Sequence, residues 1–321
     1  MAASKAHPEV SGPWLDLSTG INPEPYPALG ASQAALGRLP DPLELEQVEQ
    51  VAASAFGARP GRVAAVSGAE TAIRLLPTIL GKVTVDIVGP TYGAHAESWQ
   101  SALVAPHLIS AEQAQTSGAD VLVIVNPNNP DGHLFSAADL KAILKRREAV
   151  GQWLVVDESF GECAPLESLA AVHSHRLIVL RSFGKFYGLA GVRLGFAIAS
   201  PRFKTLLRAL TGDWPVSADA ITMGRQAYSD TAWIERTRAT LEVRAGWLDG
   251  LLVQSGFQIL GGTSLFRLVR HPEAEAWFQH LCRQGILTRP FDHSPGVLRF
   301  GVPKDGEFQR LEQALEAGPW A

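Results

Sequence analysis

Between Asp41 and about Ala199 the chain alternates short, almost wholly apolar runs with longer stretches in which apolar residues recur every three or four positions. A strand covered on both faces needs the first kind of run, and a helix packed on such a sheet shows the second. The pattern predicts strands at "RVAAV" (62–66), "VTVDIV" (83–88), "VLVIV" (121–125), "WLVVD" (153–157), "LIVLR" (177–181) and "RLGFAIA" (193–199). Regular alternation of strand and helix in this order predicts a layered α/β fold.

Local punctuation places the helices. In "DPLELEQVEQVAASAFG", Asp41 suits the N-cap, Pro42 the first helical position, Glu44 completes a capping box and Gly57 ends the helix. In "SAADLKAILKRREAVG", Ser136 caps, Asp139 sits at the positive helix end and Gly151 closes. The short basic run Lys145 to Arg147 is expected on the solvated face of that helix. After about Ser200 longer amphipathic helices give way to the strand-like "SLFRLVR" and "GVLRFGV" and to a last helix near "DGEFQRLEQALEAG", which reads as a second, α+β domain. The expected division is a large domain over 41–205, with 1–40 and 206–321 forming an N-terminal arm and a small C-terminal domain. The arm carries the extended "NPEPYPALG" from Asn22, and there is no internal repeat or low-complexity linker.

Composition narrows the function classes. The chain has 321 residues, 46% hydrophobic and 19% charged, as in an ordinary globular protein. Its formal charge is -4 and no basic stripe is present, which argues against nucleic acid as a partner. No window approaches the roughly 18 uninterrupted apolar residues of a membrane span, and "MAASKAHPEVSGPW" lacks the apolar core of a signal peptide, so the cytoplasm is the expected location. Cys163 and Cys282 are too few for a disulfide framework or a CxxC metal site, and no metal is expected.

In an alternating α/β sheet, ligands bind where strand carboxyl ends open onto loops. After "RVAAV" comes Ser67-Gly68-Ala69-Glu70 and a helix, whose free amides and dipole suit an anionic phosphate or merely permit tight packing. The formal Walker and dinucleotide fingerprints are absent. Lys185 stands among Phe183, Phe186 and Leu189, where desolvation would disfavour the ammonium form and yield a nucleophilic amine, unless its head reaches water. Arg193 is either an ion-pair partner or a phosphate clamp. Asp157, ending an apolar strand, needs a cationic partner: Arg181, Arg193, or a protonated ring nitrogen.

Taken in order, "SGAE", "PTYGAH", "NPNNPDG", "VVDESF" and "SFGKFYGLAGVRLGF" resemble the fold-type I pyridoxal-phosphate enzymes, the aspartate aminotransferase superfamily. The resemblance implies a large domain with a mainly parallel seven-stranded sheet between helices, a smaller α+β domain, pyridoxal 5'-phosphate as cofactor, and a homodimer with active sites at the subunit boundary. It assigns Lys185 as the Schiff-base lysine, Asp157 to the pyridine nitrogen, and Tyr92 to stacking on the ring. It gives Ser182, Arg193 and the backbone of Gly68, Ala69 and Glu70 to the cofactor phosphate, and Asn129 to the ring hydroxyl. Arg299, in "GVLRFGV", would grip the substrate carboxylate. Two positions depart from the family: Phe160 where a tyrosine is common, and Leu39 where relatives carry a tyrosine that reaches the neighbouring subunit.

A narrower similarity is to the histidinol-phosphate aminotransferase branch and the threonine-phosphate decarboxylases of cobalamin biosynthesis. It rests on "LDLSTGINPEPYP", "GGTSLFRLV" and "RPFDHSPGVLRFGVP". It implies decarboxylation of L-threonine O-3-phosphate to (R)-1-amino-2-propanol phosphate, with transamination as the alternative. A non-catalytic subunit of the cobinamide-forming step is the third reading, against which intact Lys185, Asp157 and Arg193 argue. The stretch from Ser18 to Asn22 would supply part of the substrate-phosphate site, with Asn22 a contact, or would only pack as an arm. His293 is expected at a surface or domain interface.

Overall fold

A computed structural model describes residues 6–10 and 12–319. By packing, the described chain divides into two compact units: Pro25–Asn129 with Leu134–Thr231, and the described parts of Met1–Glu24, Pro130–His133 and Ala232–Ala321.

The larger unit is built on a seven-stranded sheet. Its strands are β1 (Val63–Val66), β2 (Val85–Val88), β3 (His107–Ile109), β4 (Val121–Val125), β5 (Trp153–Asp157), β6 (Leu177–Ser182) and β7 (Gly195–Ile198). The order across the sheet is β1-β7-β6-β5-β4-β2-β3, with β7 antiparallel to both neighbours and the other pairs parallel. This is the mainly parallel seven-stranded sheet that the resemblance to the fold-type I enzymes implies. Helices α1 (Pro42–Phe56), α2 (Ala69–Leu80), α3 (Ala94–Ser101), α4 (Ala137–Ala149), α5 (Pro201–Thr211) and α6 (Ala218–Ser229) belong to the same unit. Ile73, Leu76, Phe203 and Leu207 from the helices pack with Val66, Ile87, Val123, Val155 and Ile178 from the strands in one buried cluster.

Apolar runs located six strands to within two residues, and the seventh escaped. His107 and Leu108 of β3 are exposed at the sheet edge, so no buried run marks them. The division at 41 and 205 is displaced outward. Tyr26 N donates to Tyr187 O at 2.9 Å, Leu29 is tied to Gln226, and Phe203 and Leu207 are buried with the sheet, so the unit reaches from Pro25 to Thr231, apart from Pro130–His133. The basic run is also corrected in part. Lys145 and Arg146 are exposed, but Arg147 is fully buried and donates to the carbonyls of Trp153, Ser117 and Ala119. Those carbonyls lie outside α4, at strand approaches that no helical periodicity reports.

The smaller unit contains α7 (Thr231–Gln254), β8 (Gln258–Thr263), β9 (Phe266–Arg270), α8 (Ala274–Arg283), β10 (Arg289–Pro290), β11 (Val297–Gly301) and α9 (Phe308–Ala317). Its antiparallel sheet has the order β10-β11-β9-β8, and Leu248, Leu252, Phe257, Trp277, Leu298 and Phe300 fill its core. Leu15–Asp16 pairs in parallel with Ile286–Leu287, which ties the N-terminal segment to this unit.

Candidate active site

Because β1 and β4 to β6 run in one direction, their carboxyl ends meet at one sheet edge. A cavity there is lined by Gly68, Ala69 and Glu70 after β1, Tyr92 after β2, Asn129 after β4, Asp157 at the end of β5, and Ser182 and Lys185 from the end of β6. Arg193, just before β7, completes the set. Every residue assigned to the cofactor by resemblance therefore faces one space, joined by Ser159 and Phe160.

Asp157 is 2% exposed, yet it is well supplied with donors. Its Oδ1 accepts from the Ser159 amide at 2.9 Å and the Ser159 hydroxyl at 2.6 Å, and its Oδ2 lies 2.9 Å from His95 Nε2. Burial pushes the carboxyl pKa up, but the His95 hydrogen bond and charge, with the Ser159 donors, outweigh it and hold the group below the usual carboxylate range. The protein partner is thus His95 rather than Arg181 or Arg193. Arg181 is engaged by Glu158 at 2.9 Å and Glu162 at 2.8 Å, a buried network beside the site. His95, from the first turn of α3, is fully buried, and no described residue partners its Nδ1.

The turn after β1 is shaped around Arg193. Gly68 has φ 82°, which favours glycine, and a Cβ there would lie 2.6 Å from Arg193 Nη2, so a side chain at this position would have to push the guanidinium aside. Arg193 itself is left-handed at φ 56°, a conformation that costs a non-glycine residue about 1–2 kcal/mol. It precedes β7 instead of opening it, and it is exposed rather than buried. The lysine loop doubles back as tightly: a Cβ on Gly184 would lie 2.6 Å from Ala190 Cα. Phe183 and Phe186 are buried on either side of the half-buried Lys185, whose Nζ lies 5.7 Å from the Phe160 ring centroid.

Tyr92 forms an open wall of the cavity at 40% exposure, with its hydroxyl donating to Glu70 Oε2 at 3.3 Å. Partial burial and then the Glu70 carboxylate raise its pKa. Glu70 also receives Arg74 at 3.2 Å, so its side chain braces the wall while its backbone opens α2.

Asn22 and Arg299 lie in the smaller unit. Asn22 is buried, and its Oδ1 accepts from the Glu24 amide at 3.0 Å. Arg299 Nη2 donates to Ser18 O at 2.6 Å, with its guanidinium 5.3 Å from the Phe266 ring centroid. Burial, aided by the charge of Arg289, lowers the Arg299 pKa to about 10. Leu39 is exposed in the larger unit, and His293 is exposed in the smaller one.

Sequence reasoning missed His95 and Ser159. His95 stands three residues after Tyr92, and Ser159 two residues after Asp157, so each lay inside a motif already noticed. A carboxylate ending a buried strand was the available signal to look for both.

These residues fit a phosphorylated pyridine aldehyde. The α2 N-terminus, Ser182 and Arg193 form an anion cradle in which the guanidinium lies directly over Gly68, and an amine, a buried carboxylate and an aromatic wall share the cavity. Among the described residues no cluster of metal-ligating side chains occurs.

The family described as aminotransferase class I and II matches residues 28–317. The threonine-phosphate decarboxylase of Sinorhizobium sp is 40% identical, covering 94% of this chain and 91% of its own. That of Pseudomonas aeruginosa is 38% identical with the same coverage. The histidinol-phosphate aminotransferase of Sinorhizobium meliloti, solved in complex with pyridoxal-5'-phosphate, superposes with a TM-score of 0.85 at 19% identity, covering 98% of this chain and 94% of that one.

Proposed function

Since the chain belongs to the class I and II aminotransferase family, we propose that it is a pyridoxal-phosphate-dependent carboxy-lyase acting on L-threonine O-3-phosphate, in cobalamin biosynthesis. The observation that carries the cofactor chemistry is the convergence of Lys185, Asp157, Ser182, Arg193 and the Gly68 turn on one cavity. The choice of decarboxylation rests on the similarity to threonine-phosphate decarboxylases over nearly the whole chain.

When bound, pyridoxal phosphate supplies an aldehyde for an amine and an electron sink for cleavage at an amino-acid Cα. The protein contributes position and charge. Arg193, Ser182 and the first amides of α2 hold the phosphate; Tyr92 walls the ring; Asn129 meets the ring hydroxyl. Asp157, kept ionised by His95 and Ser159, pairs with the protonated ring nitrogen. Lys185 is the amine that attaches the cofactor and the group placed to carry a proton at the reacting carbon. Arg299 takes the substrate carboxylate through a bidentate pair, and Asn22 is assigned to the substrate. Loss of the carboxylate as carbon dioxide and return of one proton to Cα give (R)-1-amino-2-propanol phosphate. We assign the active assembly as a homodimer, to be checked by light scattering.

The test is direct. Cofactor-loaded protein is incubated with L-threonine O-3-phosphate, with and without 2-oxoglutarate, and carbon dioxide and amino transfer are both measured. Stoichiometric carbon dioxide without transfer is expected, and amino transfer without carbon dioxide would refute the assignment.

A further inference from the structure

At the opposite edge of the large sheet, where β5 and β6 begin and β7 ends, a second cavity of about 440 Å³ opens between the last turn of α2 and the first turns of α5. That volume lies within the range of small-molecule sites. Leu80, Phe203, Leu206 and Trp153 give it an apolar floor, while Arg176 and Arg202 supply cationic groups and His175 an imidazole. None of these three forms an ion pair with a described carboxylate. The Arg176 guanidinium instead lies 5.0 Å from the Trp153 ring centroid.

Positive charge continues behind the cavity. Arg62 donates to the carbonyl of Ser174, next to His175, and Arg59 adds to the burial that lowers the Arg62 pKa. The α5 helix presents its positive dipole end here, with Ser200 as its N-cap. The Glu148 carboxylate also reaches this segment, where it accepts from Ser174 Oγ. In a chain of formal charge -4, the arginines gathered beside a partly exposed apolar floor are a local inversion, and the catalytic chemistry uses none of them.

We propose that this cavity is a second ligand site for a small amphipathic anion, with a ring-sized apolar body on the floor and one phosphate, sulfonate or carboxylate group against Arg176 and Arg202. The apolar floor alone would accept a neutral ring, and the arginines alone would accept a free anion. Only a molecule carrying both features satisfies the two surfaces together. The occupant would touch the last turn of the helix whose first turn forms the cofactor-phosphate cradle.

The probe is 8-anilinonaphthalene-1-sulfonate, titrated by fluorescence into protein saturated with pyridoxal phosphate. One bound probe per chain is expected, with affinity at least about tenfold weaker in the double variant Arg176→Gln/Arg202→Gln, as loss of two charge contacts implies. Leu206→Trp, which fills the cavity from an exposed helical position, is expected to abolish the same binding. The neutral N-phenyl-1-naphthylamine should bind wild type at least about tenfold less tightly than the sulfonate. Unchanged cofactor absorbance in each variant verifies folding. Equal probe affinity in wild type and both variants would overturn the site. Equal affinity for the neutral analogue would overturn its anionic part, and displacement of the probe by an equal concentration of inorganic phosphate would overturn its apolar part. No arm depends on carbon dioxide release, so the outcome is separable from that of the reaction assay.

Discussion

Asp157 is buried and still ionised because three donors reach it: the Ser159 amide and hydroxyl, and His95. Since its folded pKa is lowered, its contribution to stability is present above the unfolded value near about pH 4 and is lost as pH falls through the folded value. Asp157→Asn, which keeps the shape but not the charge, should lower kcat/KM by about 100-fold, the worth of about 2.7 kcal/mol of a charge-assisted contact. Its urea stability should also lose Asp157's share of the fall expected in wild type between about pH 4 and 3. Steady-state assays and denaturation at both pH values check this, and a wild-type pH slope retained in the variant would contradict it. Gly68→Ala meets Arg193 Nη2 at 2.6 Å and must hold a positive φ, so cofactor affinity should drop about tenfold in a pyridoxal-phosphate titration. Lys185 and Asp157 were legible as charges inside apolar runs. The partner of Asp157 was not, because His95 lies 62 residues away and is brought to it by the packing of α3.

Helix ends follow local rules, and the sequence reported them well. Asp41, Pro42 and Glu44 form the expected capping box of α1, and Gly57 closes that helix in the left-handed conformation. Ser136 caps α4 as expected, its side chain accepting from the Asp139 amide. Asp41→Ala should cost about 1 kcal/mol, measured by urea unfolding. Arg147 obeys a different logic, because its three carbonyl acceptors come from segments outside α4. Burial lowers its pKa to about 10, and those carbonyls, with the charges of Asp86 and Asp120, offset part of that cost. Arg147→Ala should destabilise the protein by about 3 kcal/mol by leaving buried acceptors unmet, whereas a solvated arginine would cost under about 0.5 kcal/mol. The same unfolding measurement separates the two outcomes. The edge strand β3 was invisible because exposure removes the apolar signature.

At the scale of the whole molecule, cofactor binding and stability are linked. Pyridoxal phosphate at a hundredfold its Kd should raise the unfolding free energy by about 2.7 kcal/mol, and a thermal-melt series with increasing cofactor reads this as a rising Tm. A Tm independent of cofactor would contradict the cradle at Gly68 and Arg193. The existence of a second unit was legible in the change of texture near Ser200, but its true extent was not. Pro130–His133 belongs to the smaller unit although both flanks belong to the larger. There a Cβ on Gly132 would lie 2.1 Å from Gly262 O, and one on Gly261 would lie 2.2 Å from Asp131 O. Backbone meeting backbone through glycines leaves no hydrophobic pattern to read.

The sequence by itself determined the layered α/β class, the strands with continuous apolar runs, the helix caps, and the order of the cofactor motifs. Each of these is written in local periodicity or in short spacings along the chain. Only the tertiary structure decided that His95 keeps Asp157 ionised, that Arg147 is a buried strut, and that Arg193 lies exposed against a bare Gly68 turn. It also decided where unpaired cations gather at the far edge of the sheet. These facts depend on which distant segments meet, and burial and charge pairing are properties of that meeting rather than of any one stretch of chain.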